Sequence, residues 1–505
     1  MLNPPEETPA RPPEEERAGA ASTRRKLAAL AVAAALAALA YAFPLPGIPE
    51  EGRRLTAVLA VVVTLWVSET IPLAATALLG PSFAVVVGVA PAGKAFAAFG
   101  SPIILLFIGS FLLGHATFKH RLNERIAYRV LSLGILKSDP TLAFIFLGLT
   151  TAALSAWMSN TATTAMMLPI AQSLLLAMIP QGGEKPPPVY SAGLMLIVAY
   201  SASVGGLFTP IGTPPNLIGL GLLEQGSGTR VSFMEWVTRV LPVTLVSLFL
   251  IMGYFAFLFR GEKHRLVYDR SRMVRRYEGL GPWPAAQKLV TGALLSVAAL
   301  WIFPPLASLL WPEAGKFLDS RLPEAVSPLL VAGALFFLPA DGPDCSKGKS
   351  SVLDLKDLNR IDWPTIVLFA GGMCLGDLMN QSGLAGALGE NLVGFAPASS
   401  PLLLTGAFVL LAIVVSEATS NTASANMVIP VVLAVTKSLG VDPVGPALAA
   451  TAACTFGFML PVSTPTNAMA YATGRVSIGQ MIRFGIVLDL IGAALLTLWF
   501  GWVLA

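Results

Sequence analysis

The chain has 505 residues, of which 55% are hydrophobic and 12% charged, with a formal net charge of +4 and a mean hydropathy of +0.71. Soluble proteins carry about 25% charged residues, so this composition predicts an all-α protein that crosses a lipid bilayer many times. The small, scattered net charge argues against nucleic-acid binding. Three well-separated cysteines predict neither a disulfide framework nor a metal cluster.

Residues 1–26 are rich in proline and glutamate and predict a disordered N-terminal tail. The apolar stretch that follows could be a signal peptide, but the long acidic leader and the lack of a small-residue cleavage site favour a retained first helix. A membrane span needs about 20 apolar residues. Eleven segments are predicted as spans: 27–44, 55–70, 71–90, 101–120, 189–226, 238–259, 285–311, 324–339, 362–385, 443–475 and 480–505.

Two more apolar stretches, 141–178 and 400–439, are each interrupted by the triplet Ser-Asn-Thr. Each stretch could be two crossings or one re-entrant hairpin. Cytoplasmic loops carry excess Lys and Arg, and the basic clusters share one side if the first stretch enters and leaves from the cytoplasm and the second from outside. Two full crossings fit the charges equally well. The N-terminus is then cytoplasmic and the C-terminus outside, in a bacterial inner membrane. The basic clusters are 24–26, 119–137 and 260–276.

Three motifs occur twice along the chain, in the same order. Their offsets of 262, 261 and 251 residues are nearly equal, which indicates an internal duplication. With the sidedness given above, the two copies have opposite orientations, which is typical of secondary transporters built from inverted repeats. The motifs are Pro102-x4-Phe107-x-Gly109-x4-Gly114 with Pro364-x4-Phe369-x-Gly371-x4-Gly376, Ser159-Asn160-Thr161 with Ser420-Asn421-Thr422, and Pro210-x2-Thr213-Pro214-x-Asn216 with Pro461-x2-Thr464-Pro465-x-Asn467.

These residue types suit a site for both an anion and a small cation. Each Ser-Asn-Thr triplet can end one half-helix and cap the next, which presents backbone N–H groups to an anion and unpaired carbonyls to Na⁺. Ser155 and Ser416 precede the triplets by one helical turn. Prolines break the second pair of helices. There, Gly212 lets the backbone approach a ligand closely, whereas its counterpart is Ser463, so the two cation sites need not be identical.

At these motifs the sequence resembles the divalent anion:sodium symporter family, the INDY-like sodium–dicarboxylate transporters, from about residue 27 to the end. The resemblance implies a homodimer in the lipid bilayer, with eleven spans per subunit and a transport domain that moves as an elevator. It implies two sodium sites, one at Ser155, Ser159, Asn160 and Gly212 and the other at Ser416, Ser420, Asn421, Ser463 and Pro465. It implies that the substrate contacts Asn160, Thr161, Thr213, Pro214, Asn421, Thr422, Thr464 and Pro465.

The same resemblance divides the chain into six segments. These are the tail 1–26, scaffold helices with a first arm 27–137, a first transport-domain segment 138–230, scaffold helices with a second arm 231–398, a second transport-domain segment 399–479, and a C-terminal transmembrane helix 480–505. The amphipathic segments 121–137 and 386–396 are the candidate arms, lying flat at the membrane interface.

The sequence therefore predicts a secondary active transporter that imports a C4-dicarboxylate such as succinate together with sodium. Two alternatives on the same scaffold stay open: a sodium-independent dicarboxylate exchanger, and a symporter of another divalent anion such as sulfate or citrate. An enzyme would need a catalytic base, nucleophile or metal cluster within the membrane, and the sequence has no such constellation. An anion channel is disfavoured because twin occluding hairpins indicate alternating access.

One intramembrane carboxylate needs its own explanation. Glu417 lies next to Ser416 in the second hairpin, and such residues are functional candidates by default. It could bind a proton, or it could pair with a basic residue elsewhere in the chain. Structural roles are expected for Asp377 and Asp489, and for His115 as a packed helix residue.

Overall fold

A computed structural model describes residues 14–44, 46–137, 139–178, 186–262, 266–340, 350–393 and 400–503. These residues form 22 α-helices. The first eleven are α1 Glu14–Ala42, α2 Glu50–Ser68, α3 Leu73–Val86, α4 Ala92–Ala95, α5 Pro102–Lys119, α6 Leu122–Leu131, α7 Pro140–Ser155, α8 Asn160–Met178, α9 Pro188–Gly205, α10 Pro214–Ser227 and α11 Phe233–Leu258. The others are α12 Arg270–Glu278, α13 Ala285–Leu310, α14 Pro312–Arg321, α15 Ser327–Leu335, α16 Trp363–Gln381, α17 Leu384–Val393, α18 Pro401–Ala418, α19 Asn421–Leu439, α20 Val444–Ala453, α21 Pro465–Ala472 and α22 Ile478–Leu498.

Other regular structure is sparse in the portion of the chain that the structure describes. A two-stranded antiparallel sheet, β1 Pro339–Ala340 and β2 Ser350–Ser351, is a small departure from the predicted all-α class. Short 3-10 helices and one π-helical turn complete the elements: Ala97–Gly100, Gly134–Leu136, Gly206–Phe208, Leu355–Arg360 and the π-turn Trp499–Val503.

The first helix begins earlier than the sequence predicted. The predicted tail covered 1–26, whereas α1 begins at Glu14 and runs to Ala42. The segment from 14 to 26 is rich in Ala, Glu and Arg, which are strong helix formers, so the helix extends N-terminally beyond its apolar portion. Residues 1–13 lie outside the described residues.

Seven helical segments within the described ranges have the length and hydropathy to cross a membrane. They are Pro102–Lys119, Pro188–Phe208, Phe233–Leu258, Ala285–Ser308, Pro401–Ala418, Asn421–Leu439 and Ile478–Val503. Several other predicted spans are shorter helices; the span predicted at 324–339, for example, corresponds to the nine residues of α15. The protein is thus a helical, multi-pass membrane protein, and the count of eleven spans stays a prediction.

Both predicted breaks in long apolar segments occur. The segment 189–226 contains α9 and α10, with a loop from Thr209 to Thr213 between a 3-10 turn and α10. The segment 443–475 contains α20 and α21, separated by residues 454–464. Proline is the first residue of both α10 and α21, where its missing N–H costs no helical hydrogen bond and its fixed φ favours helix initiation.

The two copies of the first motif lie on α5 and α16, which run antiparallel. The rings of Phe107 and Phe369 are 5.0 Å apart. At the C-terminal end of α5, Lys119 Nζ lies 2.7 Å from an oxygen of Asp357, in the 3-10 helix that precedes α16. Opposed directions are what an inverted repeat requires.

The broken helices of the two halves pack against each other. The Tyr200 hydroxyl in α9 donates to the Phe458 carbonyl in the second break, at 2.8 Å. The hydroxyls of Ser203 in α9 and Thr466 in α21 lie 3.4 Å apart. These buried polar contacts join segments that are more than 250 residues apart in sequence, so the motif-bearing elements form one unit.

Candidate functional site

The first hairpin places Ser155 and Asn160 on either side of a tight tip. Ser155 ends α7 and Asn160 begins α8, and the Ser155 hydroxyl donates to Asn160 Oδ1 at 2.8 Å. Ser159 caps α8, because its Oγ accepts the Ala162 N–H at 3.3 Å. The Asn160 amide then donates to Thr213 Oγ1 at 3.2 Å. The tip is thereby tied to the broken helix beside it, and Ser155, Asn160 and Thr213 are all buried.

The break between α9 and α10 brings carbonyl oxygens toward this tip. A Cβ added to Gly212 would lie 2.5 Å from the Gly206 carbonyl oxygen and 2.9 Å from that of Ser155. A Cβ on Gly206 would overlap Asn160 Oδ1. Only glycine permits such close approach at these two positions. We call the oxygens of Ser155, Asn160 and Gly206 the first oxygen cluster.

An asparagine clamp holds the break open. Asn216 Nδ2 donates to the carbonyls of Gly206 and Thr209, both at 2.9 Å. In addition, the Thr209 hydroxyl donates to the Ala156 carbonyl at 2.5 Å. The Thr209 carbonyl also accepts the Gly212 N–H at 3.3 Å, so the Asn216 side chain reinforces this turn and supplies a donor to the Gly206 carbonyl. The conformation of the break is therefore built into its own sequence.

The second hairpin repeats the arrangement around Asn421. Ser416 Oγ lies 2.9 Å from Asn421 Oδ1 and donates to the Cys454 carbonyl at 2.6 Å. The same amide atom of Asn421 lies 3.3 Å from the carbonyl oxygens of both Cys454 and Ser463. Ser420 caps α19 through the Ala423 N–H at 3.2 Å. These atoms of Ser416, Asn421, Cys454 and Ser463 form the second oxygen cluster.

The orientation of the Asn421 amide has chemical meaning. With Nδ2 facing the cluster, the amide would donate to the three neighbouring oxygens. With Oδ1 facing it, that oxygen competes with the Cys454 carbonyl for the Ser416 hydroxyl hydrogen and lies beside the Ser463 carbonyl, an arrangement that a cation would stabilise. In the ion-free protein the hydrogen bonds favour Nδ2 facing the cluster, and a bound cation would favour the reverse. All the donors are neutral, hard oxygens, and such a set fits Na⁺.

The clamp is also repeated in the second half. Asn467 Nδ2 donates to the carbonyls of Gly457 and Leu460, at 2.7 and 3.1 Å. Asn467, Gly457 and Leu460 are each 251 residues after Asn216, Gly206 and Thr209. The internal duplication therefore extends to individual hydrogen bonds. Gly206 was absent from the predicted set, although its match to Gly457 at the 251-residue offset would have revealed it.

A cavity of about 760 Å³ opens beside the first hairpin. Of the predicted substrate residues, Thr161 and Pro465 line it together, and Ser159 from the predicted sodium set joins them. The other predicted substrate residues do not line this cavity: Asn160, Thr213, Pro214, Asn421, Thr422 and Thr464. The structure therefore brings the first hairpin tip and parts of both breaks to one cavity but exposes only a fraction of the predicted substrate set.

The mouth of this cavity carries a charged network that the sequence did not predict. The carboxylate of Asp357 contacts His115 Nε2 at 2.8 Å and Lys119 Nζ at 2.7 Å. Burial alone would raise the pKa of Asp357, but hydrogen bonds from Lys119, the Asp354 N–H and His115 hold this pKa below its usual range. His115 is thus more than a packed helix residue. No local pattern signals a contact between residues 242 positions apart.

Among the residues that the structure describes, the hydrogen-bond partners of Glu417 are backbone groups rather than a basic side chain. Its carboxylate accepts the N–H groups of Met459 at 2.7 Å and Leu460 at 3.2 Å, inside the second break. Both Glu417 and Asp489 of α22 are buried, and their two carboxyl groups lie close enough to interact. Glu417 therefore holds the second break against the hairpin. Asp489 is buried within the protein.

Two solved transporters share this architecture. The YdaH transporter of Alcanivorax borkumensis aligns with a TM-score of 0.54 and 16% identity, over 96% of this chain and 98% of that chain. MtrF of Neisseria gonorrhoeae aligns with a TM-score of 0.53 and 14% identity, over 81% and 82% of the two chains. At these identities the likeness concerns the fold alone. The fold and the paired broken helices define a helical, polytopic membrane protein of this architecture.

Sequence comparison gives the family. A family profile described as the sodium:sulfate symporter transmembrane region matches residues 24–504. The sodium-dependent dicarboxylate transporter SdcS of Staphylococcus saprophyticus is 30% identical over 456 residues, covering 89% of this chain and 85% of SdcS. An uncharacterized transporter of Haemophilus influenzae is 33% identical over 454 residues, covering 88% and 90%. The chain belongs to the divalent anion:sodium symporter family, as its motifs predicted.

Proposed function

We propose that this protein imports a C4-dicarboxylate, such as succinate, by sodium symport. The observation that carries the proposal is the pair of neutral oxygen clusters, one at each hairpin tip, formed around Asn160 and Asn421. The names of several relatives, SdcS among them, include sodium-dependent dicarboxylate transport. Sodium supplies the positive charge that these clusters lack, and it is a transported ion rather than a catalyst.

The order of binding follows from electrostatics. No Lys or Arg occurs in the matched motifs, so a dianion that reached the tips alone would meet only dipoles and neutral side chains. Sodium in the first cluster would draw Ser155, Asn160 and the Gly206 carbonyl together, and sodium in the second would turn Asn421 Oδ1 inward. Both changes pre-form the anion site, so sodium and substrate bind with positive coupling.

The substrate site lies between the two tips in this proposal. Thr161 and Pro465 form its accessible wall, since both line the open cavity. Asn160, Thr213 and Pro214 serve from the first half, and Asn421, Thr422 and Thr464 from the second. Ser159, Gly212, Ser420 and Pro465 complete the two sodium shells, with Gly212 contributing through the close approach of its backbone.

The larger architecture belongs to the same proposal. Segments 138–230 and 399–479 form a transport domain, supported by the Tyr200–Phe458 contact between them. This domain moves as an elevator against a scaffold of the remaining helices, with α6 and α17 as the arms. The protein is a homodimer in the bacterial inner membrane. Its N-terminus is cytoplasmic and its C-terminus outside, because that orientation places the basic helix α12 in the cytoplasm.

Two alternatives share the same scaffold. The family profile carries the name sodium:sulfate symporter, which favours a second divalent anion, sulfate, as the competing substrate. A sodium-independent exchanger would need altered cation sites, whereas Ser155–Asn160 and Ser416–Asn421 keep their polar contacts. Sodium symport is therefore the better fit to the geometry.

The test is uptake of radiolabelled succinate into proteoliposomes that contain no dicarboxylate, with and without an inward sodium gradient, at fixed pH. We expect sodium-dependent uptake that falls at least about tenfold in Asn160→Ala and Asn421→Ala, because each change removes an oxygen ligand of a cation. Labelled sulfate and citrate are run in parallel. Uptake that needs a preloaded lumen and ignores sodium would make the protein an exchanger.

A matched control is available outside the two clusters. Ser227→Ala and Ser82→Ala remove hydroxyls that bond a carbonyl of their own helix, and neither serine belongs to a cluster. These variants should transport like the unmodified protein. Equal loss in the control variants would show that the asparagine effects come from misfolding rather than from lost sodium ligands.

A further inference from the structure

The internal duplication relates α5 and α16 residue by residue. Phe107 and Phe369 are counterparts at the 262-residue offset, and their ring centroids lie 5.0 Å apart. In an antiparallel pair, a residue that touches its own counterpart lies on the local two-fold axis. The axis relating the two halves therefore passes between these rings. For each contact that a residue of α5 makes, this axis predicts an equivalent contact for its counterpart on α16.

The two sides of this axis differ in the structure. On the α5 side, Ser110 and Gly114 line the open 760 Å³ cavity together with Ala165 of α8. On the α16 side, their counterparts are closed. A Cβ on Gly372 would overlap Asn426 Oδ1 of α19, so the asparagine side chain is seated directly on this glycine.

On the α16 side, a small cleft occupies the position equivalent to that of the open cavity. Its volume is about 10 Å³, and its lining includes Gly376, Asn380 and Pro430. Gly376 and Asn380 are the counterparts of the cavity residues Gly114 and Phe118. A Cβ on Gly376 would lie 2.7 Å from Leu222 of α10, so this cleft is filled from the opposite wall.

We propose that Gly372, Gly376, Asp377, Asn380 and Asn426 line a second access route to the hairpin tips, which is closed here by Asn426 seated on Gly372. The inference rests on the proposed function and deepens it, since it names the route by which ions and substrate reach the same site from the other side of the membrane. Opening this route separates Asn426 from Gly372. By the two-fold relation, the same motion brings Ala165 against Ser110 and closes the present cavity.

A buried polar atom supports the assignment. Within the described ranges, Asn426 Oδ1 is buried without a hydrogen-bond partner. The Asn426 amide donates to the Thr422 carbonyl of its own helix, at 2.9 Å. An orphaned buried acceptor destabilises the arrangement that buries it. When the route opens and Asn426 leaves Gly372, water can hydrogen-bond to this oxygen and remove the cost of burying it.

The chemistry of the second route differs from that of the first. His115 and Lys119 on the open side correspond to Asp377 and Gln381 on the closed side. The Asp377 carboxylate accepts a hydrogen bond from Gln225 Nε2 at 3.3 Å. Asp377 follows the cleft residue Gly376 on α16, and in the proposed route its carboxylate attracts a monovalent cation and repels a dianion. Sodium is thus the species that the second route admits first.

Cysteine crosslinking tests the exchange, in a background with Cys345, Cys374 and Cys454 replaced by alanine. Gly372→Cys with Asn426→Cys reports the closed second route. Ser110→Cys with Ala165→Cys, its counterpart pair, reports the opposite state. Crosslinks are mapped by peptide mass spectrometry in proteoliposomes, and succinate uptake is measured before and after reduction. As a control, Ser203→Cys with Thr466→Cys joins two elements that move together.

We expect both reporter pairs to crosslink and each crosslink to abolish uptake reversibly, while the control crosslink leaves uptake intact. An added Thr161→Cys should stay reactive to an impermeant maleimide in the first trapped state and become protected in the second. If Ser110→Cys/Ala165→Cys never crosslinks in a preparation that transports, or if the Gly372→Cys/Asn426→Cys crosslink leaves uptake intact, the proposal is wrong. Crosslinking does not depend on which anion is carried, so failure of succinate transport alone would be distinguishable.

Discussion

The two oxygen clusters use the same hairpin chemistry but different broken helices. At both tips a serine lies within 2.9 Å of an asparagine amide oxygen five residues later. Beside the first tip, Gly212 allows two carbonyls to approach its Cα. Beside the second, Ser463 occupies the equivalent position and its hydroxyl donates to the Gly457 carbonyl at 2.9 Å. The two halves therefore share the asparagine at the hairpin tip but differ in the residue of the broken helix beside it.

This difference indicates that the two sites differ in how well they tolerate a substitution at Gly212 or Ser463. The first cluster depends on an absent side chain, so any Cβ at Gly212 meets backbone oxygens that cannot move independently. In the second cluster Ser463 contributes its carbonyl, and its hydroxyl bonds the Gly457 carbonyl, so loss of the side chain removes one hydrogen bond and leaves the cluster oxygen in place. Steric exclusion has a steep cost, whereas loss of a single hydrogen bond changes stability by about 0.5–1.5 kcal/mol.

Exchanging these two residues should produce the largest effects. We expect Gly212→Ser to reduce sodium-driven uptake at least about tenfold, because overpacking costs about 1–3 kcal/mol or more. Ser463→Gly should raise the sodium concentration for half-maximal uptake only about two- to tenfold. Both are measured as uptake against sodium concentration. Equal effects of the two substitutions would contradict the proposed asymmetry.

The asparagine clamps should instead behave more alike. Asn216→Leu and Asn467→Leu each remove a side-chain donor from two carbonyls, and each lost hydrogen bond costs about 0.5–1.5 kcal/mol. Some donors remain, because the Gly212 and Ser463 N–H groups reach the Thr209 and Leu460 carbonyls at 3.3 Å and the Ser463 hydroxyl reaches the Gly457 carbonyl at 2.9 Å. We expect both to lower Tm by a few degrees, on the order of what such losses produce in large domains. Thermal unfolding of the purified protein in detergent measures this. A large difference between the two would mean that the clamps are not equivalent.

A titratable group distinguishes the end of α5 from that of α16. Burial lowers the pKa of His120, whose Nε2 lies 2.8 Å from the Val352 carbonyl, while its counterpart is Ser382. A lowered pKa means that the unfolded chain binds the proton more tightly, so this contribution to stability is present above about pH 6.5 and is lost as the pH falls below it.

The corresponding measurement is Tm between about pH 7.5 and 5.5, a window that brackets the ordinary histidine pKa. The unmodified protein should lose stability over this window more steeply than His120→Gln, which keeps a hydrogen-bond donor but cannot titrate. Ser382→Ala serves as the control at the equivalent position and should leave the pH dependence unchanged. Identical pH profiles for the histidine variant and the unmodified protein would rule out the titration.

The smallest expected effect concerns the charged residues Asp377, in the proposed second route, and His115, at the open cavity. Asp377→Asn should raise the half-saturating sodium concentration about twofold when sodium is supplied from the closed side, since a partly screened carboxylate attracts cations modestly. The effect should shrink at high ionic strength maintained with a large organic cation. His115→Asn, the counterpart change, should leave sodium saturation from that side unaltered. An unchanged value in the Asp377 variant would remove this residue from the second route.

Local chemistry determined much of this protein. Apolar runs, prolines and Ser-Asn-Thr triplets set where helices start and break, because capping and proline geometry act within a few residues. The breaks at Thr209–Thr213 and at 454–464 were accordingly predicted, as were the asparagines at both tips. The start of α1 was missed, since helix propensity in an Ala-rich segment extended the helix into the predicted tail.

Tertiary structure decided the atoms that complete the sites. The carbonyls of Gly206 and Cys454 belong to the clusters through backbone placement, and a backbone oxygen leaves no mark on residue type. The Asp357 network and the seat of Asn426 on Gly372 depend on contacts across distant segments. The sequence specified two equivalent tips, and only packing made one side open and the other closed, because identical local geometries can be buried by different neighbours.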